Sequence, residues 1–355
     1  MGNFVVKCAS SQATHQLSSS PVKLDSSLDK DSGSSNPALP SSAQGSTDSM
    51  GYGSPSFAGG QPPPPPGLEN NPGTYEELHK KCKDVPPTCF DGAKVMISKG
   101  LSNHFQISHT LSMSPVLHGY RFGVTYVGTK QLSAAEAYPI LLGDTDASGN
   151  MSATAIHQFT DRIRCKAAAQ IQQNKFAASQ LTAEYRAPLA TSSLTIANPD
   201  LISDSGILVA SYLRRITPRL DLGLELVYQT GRQIPGQQIT VLSYSARYMA
   251  NHWTAAASVS QSGLHLTYYH KQQENQQYGV EWETNLRLGE SVASIAYQFD
   301  LPKANVVFRG SIDSQWTVGA VLEKRLFPLP FTLAISGMLN HAKNQSRFGV
   351  GLIVG

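Results

Sequence analysis

Leu220-Asp221-Leu222-Gly223-Leu224-Glu225-Leu226-Val227-Tyr228 carries Leu, Leu, Leu, Leu and Tyr at every second position, with two carboxylates in between. Successive side chains of a strand point to opposite faces, so this stretch has one apolar face and one face bearing Asp221 and Glu225. A helix would smear both sets around its surface. The alternation recurs in Tyr278 to Leu288, with Tyr278, Val280, Trp282, Leu286 and Leu288 on one face and Glu281, Glu283, Asn285 and Arg287 on the other. Similar runs fill 105–113, 120–128, 207–216, 292–299, 304–310, 314–325 and 331–340, separated by short turn signals. The chain finishes in the same way, with Phe348, Val350, Leu352 and Val354 apolar and alternate.

Strand centres fall near 96, 108, 124, 140, 154, 168, 181, 193, 210, 224, 243, 256, 267, 282, 295, 307, 319, 335 and 350. Nineteen strands over residues 91–355 leave about fourteen residues per strand and turn, which suits membrane strands of roughly 9 to 11 residues. Strands of a soluble sandwich usually run to about 5 or 6 residues. A chain that ends within a strand needs a partner for that strand's free N–H and C=O groups, and closure into a barrel supplies one. The expected fold is all-β: a transmembrane β-barrel of about 19 strands, with a short N-terminal helix and a disordered N-terminal tail.

Composition agrees. Only 15% of the 355 residues are charged, against roughly 25% in soluble globular proteins. The mean hydropathy is negative, and no 18-residue apolar run offers a transmembrane helix. Neither fact opposes a barrel, whose lipid-facing strands need only every second residue apolar.

Several function classes drop out. A formal charge of +3, without a stripe of Lys or Arg among aromatics, gives no reason to expect a nucleic-acid partner. Cys8, Cys82, Cys89 and Cys165 lack metal-ligand spacing and are expected as free thiols. There is no His-Glu-x-x-His, Gly-x-Ser-x-Gly or P-loop motif, so neither an enzyme nor a cofactor is expected. The apolar run Phe4-Val5-Val6 is too short for a secretory signal, and Val6 spoils a myristoylation site after Gly2.

Three regions follow. Residues 1–72 are rich in Ser, Gly and Pro, with prolines at 62–66, and cannot bury enough apolar surface to offset chain entropy. Residues 73–90 hold a short helix and a connector. Thr74 and Glu77 form a capping-box pair, Glu76 and Glu77 precede Lys80, Lys81 and Lys83 in the sense that suits the helix dipole, and Pro86 and Pro87 stop the helix. Whether this helix lies inside a barrel or on its surface is open at this stage. Residues 91–355 are the barrel.

Five stretches together carry a family resemblance: 99–105 (KGLSNHF), 122–130 (FGVTYVGTK), 198–200 (NPD), 268–271 (YYHK) and 301–305 (LPKAN). Over roughly residues 72–355 the chain resembles the channel-forming, forty-kilodalton subunit of the translocase of the outer mitochondrial membrane, a member of the mitochondrial porin superfamily. The resemblance implies a nineteen-stranded barrel whose first and last strands pair in parallel, serving as a channel that imports precursor proteins across that membrane. It further implies contact with membrane lipids, a complex with a central receptor and small single-helix subunits, and homo-oligomeric assembly through those partner subunits. The family's sorting signal for barrel insertion, a polar residue, Gly and two spaced hydrophobics, matches Arg347, Gly349, Leu352 and Val354.

Import presequences are amphipathic, Arg-rich and poor in acids. A pore that passes them needs weak, distributed negative charge, because one deep site would trap the substrate. Parity turns Asp221, Glu225, Glu281, Glu283, Glu184 and Glu323 toward the lumen, with Asp300 a further candidate, and these form the expected acidic track. It also turns Arg121, Arg164, Lys166, Arg309, Arg325 and Arg347 inward, with Met96, Val127 and Ile353 as apolar lumen candidates. The same architecture permits a voltage-dependent type of metabolite or anion pore, which paired acids oppose. A soluble β-sandwich interaction protein is the third candidate.

Overall fold

A computed structural model describes residues 70–115, 118–133, 136–200, 205–231 and 236–355. The stretch expected to be a disordered tail lies outside these residues, apart from 70–72. Among the described residues nineteen strands make one sheet: β1 (Gly92–Ser102), β2 (Phe105–Met113), β3 (Gly119–Ser133), β4 (Glu136–Asp146), β5 (Met151–Thr160), β6 (Ile163–Gln172), β7 (Lys175–Arg186), β8 (Ala190–Asp200), β9 (Ser205–Thr217), β10 (Leu220–Thr230), β11 (Gln238–Met249), β12 (Trp253–Ser260), β13 (Gly263–Gln273), β14 (Gln276–Asn285), β15 (Glu290–Leu301), β16 (Val306–Asp313), β17 (Thr317–Leu326), β18 (Phe331–Asn340) and β19 (Gln345–Val354). Each expected centre falls within its strand.

Each strand pairs antiparallel with the next in sequence, and β1 then pairs with β19 in parallel, from Gly92 opposite Gly349 to Ile97 opposite Val354. The parallel seam follows from counting. Hairpin connections reverse direction at each step, so strand nineteen must run the same way as strand one. No helix among the described residues is long and apolar enough to cross a membrane. Crossing by strands requires closure, since an open edge in hydrocarbon would leave its backbone groups unsatisfied.

Parity assigns the faces. In β10, Asp221 is fully buried at 0% exposure, whereas Leu224 on the outer face is 44% exposed. Leu222, Leu226, Tyr244, Trp282, Ile295 and Val350 repeat this outward exposure around the wall. In water such a surface would be an aggregation liability; in lipid it is solvated.

One expected strand is shorter in the structure. β14 stops at Asn285, and Leu286 and Leu288 lie exposed in the turn that follows. The Asn285 side-chain carbonyl accepts hydrogen bonds from the Arg287 and Leu288 N–H groups at 3.0 and 3.2 Å, which curls the backbone out of the ladder. The period-two pattern therefore outlasts the strand by chance.

The barrel has two distinct rims. One carries the turns after the odd-numbered strands together with the C-terminal end of β19; the other carries the start of β1. Asn71 donates to Ala187 O at 2.6 Å in the β7–β8 turn on the first rim, whereas Ser114, at the second rim, donates to Asp91 at 2.5 Å. Residues 71–91 therefore descend from rim to rim through the lumen. We call the first the C-terminal rim.

The parallel seam yields a direct expectation. Cysteines replacing Met96 and Ile353, or Val95 and Leu352, should cross-link efficiently in the membrane-inserted protein. The pair at positions 93 and 354, matched only by an antiparallel seam, should not, as read by mobility on denaturing gels.

Candidate functional site

The lumen is a polar wall with one segment laid against it. Thr74 N–H donates to the Glu77 carboxylate at 3.1 Å, so the expected capping pair forms. The helix it starts is broken in two, a 3₁₀ turn at Tyr75–Glu77 followed by one α-turn, α1 (Lys80–Lys83). Tyr75, Leu78, Cys82 and Val85 are buried, while Glu76, Glu77, Lys80, Lys81, Lys83 and Asp84 stay exposed to the lumen. The buried side chains need inward-facing wall residues that yield space or apolar contact. Leu213 of β9 supplies contact, clustering with Tyr75 and Leu78. Gly279 of β14 supplies space: a Cβ there would stand 3.2 Å from both the Cys82 sulfur and the Cys82 carbonyl oxygen.

A string of polar contacts fixes the segment. At its start, Arg247 of β11 donates to the Pro72 carbonyl while its guanidinium binds Asp221 at 2.6 Å. Arg215 of β9 approaches the other Asp221 oxygen at 3.0 Å. Asp221 lies directly opposite both arginines in the strand ladders, so a buried carboxylate is flanked by two cations. Charge-assisted pairs of this kind offset the desolvation that burial imposes.

Further along, the His79 ring nitrogens contact Thr267 Oγ1 and Ser258 Oγ, both at 2.8 Å. Its ring lies 4.1 Å from that of His265, whose Nε2 contacts Glu281 at 2.7 Å. The Cys82 S–H points at the Tyr268 and Val280 carbonyls. Near the second rim, Phe90 N–H donates to Ser336 Oγ at 2.9 Å. Its backbone crosses inward-facing Gly349 so closely that a Cβ there would sit 2.4 Å from the Phe90 oxygen.

The six expected acids all lie on the inner parity, but they do not form one open row. Asp221 is the latch just described. Glu184 is buried and flanked by Arg164 at 3.7 Å and Arg186 at 3.2 Å. Glu281 holds His265. Glu225 is buried beside Tyr75. Glu283 and Glu323 are only half-buried, on β14 and β17, three strands apart around the wall. Glu76 and Glu77 add exposed acids from the segment itself.

His79, His265, Arg215, Arg247 and Asn71 were not singled out in the sequence. The spacing of Tyr75, Leu78, Cys82 and Val85, at three, four and three residues, is a helix-face stripe that marks a docked segment. Among the described residues no group of three His, Cys, Asp or Glu side chains is placed to hold a metal ion.

The fold and lumen are those of a channel-forming barrel. The sequence model of the eukaryotic porins matches residues 71–349. A Caenorhabditis elegans protein named mitochondrial import receptor subunit TOM40 homolog is 60% identical over 288 residues, covering 81% of this chain and 95% of its own length. A Drosophila melanogaster relative, TOM40 homolog 2, is 52% identical over 80% of this chain and 84% of its own. The Homo sapiens TOM40 homolog is 51% identical over 80% and 78% respectively. The chain belongs to the eukaryotic porin family, within its group of TOM40 mitochondrial import receptor subunits.

The His79 contacts with Thr267 and Ser258 predict that His79→Ala should loosen the docked segment. Fluorescence of a dye on a Lys81→Cys variant should report greater mobility of the segment in the His79→Ala background, and an unchanged signal would remove His79 from the docking contacts.

Proposed function

We propose that this chain is the protein-conducting channel through which precursor proteins cross the mitochondrial outer membrane. The observation that carries this reading is the 50–60% identity to TOM40 import receptor subunits over about 80% of the chain. Geometry supports it. Nineteen strands spaced about 4.8 Å apart and tilted about 35° enclose a backbone cylinder roughly 35 Å across. Inward side chains and the docked segment occupy part of that bore, and the remainder admits an extended chain or a helix of about 10–12 Å diameter.

An Arg-rich presequence would meet negative charge spread over the lumen rather than gathered in one place. Asp221, Glu184 and Glu225 are buried and Glu281 is held against His265, so we assign the transient contacts chiefly to the half-buried Glu283 and Glu323 and the exposed Glu76. The paired acids of the track then serve to seat the inner segment. Weak contacts at separate heights favour passage over trapping. The finer partners follow the same proposal: a central receptor subunit, small single-helix subunits on the lipid face, and oligomerisation through those subunits.

The decisive measurement is single-channel block of the reconstituted full chain by a basic presequence peptide. Glu76→Gln, Glu283→Gln and Glu323→Gln combined should reduce cation preference and weaken block severalfold. The difference should shrink as salt rises, since exposed charges are screened over about 8 Å at physiological ionic strength. Cysteines at 281 and 283 should react with a membrane-impermeant thiol reagent, and one at 282 should resist it. Unaltered block in the triple variant would remove the acidic contacts from the mechanism.

For the terminal pattern we propose the role of sorting signal for Arg347, Gly349, Leu352 and Val354. Arg347 and Gly349 have inward parity and Leu352 and Val354 outward parity at the seam, which suits recognition of one apolar edge before closure. Leu352→Ser with Val354→Ser should leave synthesis intact and reduce carbonate-resistant insertion severalfold. Full insertion of that variant would refute the assignment.

A further inference from the structure

On the outer wall, β11 to β14 form a groove that the pore does not use. Its floor is made of Ala246, Ala255 and Ala257, and its sides of Tyr248, Leu266 and Trp282, enclosing about 500 Å³. Ala246 faces Ala257 across the β11–β12 ladder, so two minimal side chains meet on the outer face between the flanking Tyr248, Leu266 and Trp282. At the C-terminal rim this groove runs into a second, smaller hollow of about 220 Å³ lined by Arg219, Asn251, His252 and Trp253. The two are continuous in the fold. Leu220 follows Arg219 and pairs with Tyr248, and Trp253 stands between Tyr248 and Tyr268 with ring centroids 5.3 and 5.9 Å away.

The chemistry changes sharply along this path. The long hollow is apolar and opens to the hydrocarbon layer. The hollow at the rim offers a guanidinium, an imidazole, an amide and an indole at the depth where an aromatic belt marks the headgroup region. Arg219 is exposed, and among the described residues no carboxylate pairs with it. Arg214, two residues inside the same rim on β9, adds a second outward guanidinium. An apolar trough ending in unpaired positive charge is complementary to one molecule of stated shape: an acyl chain attached to an anionic head.

We propose that the outer face of β11–β14 is a binding site for an anionic glycerophospholipid, with one acyl chain on the Ala246–Ala255–Ala257 floor and the phosphate at Arg219. The small-residue floor lets the chain lie against the backbone, and the Tyr248–Trp253–Tyr268 row separates chain from headgroup. This assignment depends on the barrel spanning a membrane and is independent of what passes through its lumen. A partner's transmembrane helix is the competing occupant, since small residues also admit helices closely. The charged hollow at the end of the groove favours the lipid.

The test uses the full chain in phosphatidylcholine nanodiscs, titrated with phosphatidylserine or phosphatidylcholine bearing a diazirine midway along one acyl chain. Cross-links should accumulate at Ala255, Ala257 and Trp282 in a saturable manner, with phosphatidylserine favoured severalfold. Arg219→Gln should erase the headgroup preference while keeping the acyl cross-links. Ala257→Phe should abolish cross-linking in the groove but not at Ile335 on β18, with conductance unchanged. If Ala257→Phe does not fold, the parent titration and Arg219→Gln decide. Uniform, unsaturable labelling of the wall would overturn the proposal, as would an undiminished preference in Arg219→Gln. Competition by soluble glycerol phosphate at the potency of the lipid would overturn the groove's part in it. In native outer membranes, a photoreactive residue at 257 that captures a protein helix instead of lipid would also refute it.

Discussion

A polypeptide in hydrocarbon has no water to satisfy its N–H and C=O groups, and this constraint governs the molecule. Nineteen strands in sequence satisfy every neighbour but the last pair, and β1 with β19 must complete the circuit. Because the strand number is odd, that final ladder is parallel, with slanted hydrogen bonds rather than the perpendicular ones of the rest. The outer leucines, tyrosines and tryptophans, the inward polar residues and the bore itself all depend on this closure. An even count would give an antiparallel seam and put the start of the first strand and the end of the last on one rim.

Inside the closed wall, the second organising interaction is the docking of residues 71–91. It is secured at intervals: Asn71 to the β7–β8 turn, the Pro72 carbonyl to Arg247, His79 to Ser258 and Thr267, and Phe90 to Ser336. The segment thereby visits almost half of the strands. It braces a cylinder in which the buried apolar clusters among the described residues are small, Tyr75 with Leu78 and Leu213, and a valine group on β9 to β11. The many inward charges are tolerable because they are paired or wet.

Strand number, strand order and the two faces were legible in the primary structure because a period of two survives any curvature of the sheet. Asp221, Glu225, Glu281 and Trp282 all fall on the face that parity gives them. Cross-strand register was not legible. That Asp221 stands opposite both Arg215 and Arg247 depends on the exact stagger of three strands, which alternation within each strand does not encode. The acids therefore read as one track, whereas several are half of an ion pair. The inner segment was visible as a capped helix start at Thr74, but two broken turns carry too short a stripe to identify the wall they bury against. Leu286 and Leu288 continued a strand pattern that Asn285 ends.

The parallel seam also has a consequence for the order of assembly. Neighbouring strands join through short turns, so each hairpin forms from residues close in sequence and can zip onto its predecessor. Gly92 and Gly349 are 257 residues apart. Closing a loop of that length by diffusion costs on the order of 5 kcal/mol in chain entropy, and no single turn lowers it. The stepwise zipping of eighteen antiparallel ladders delivers the two edges to each other almost free of that cost. Among the strand ladders the seam is thus the one that needs the whole chain beforehand, which makes it the step at which an incomplete barrel differs from a finished one.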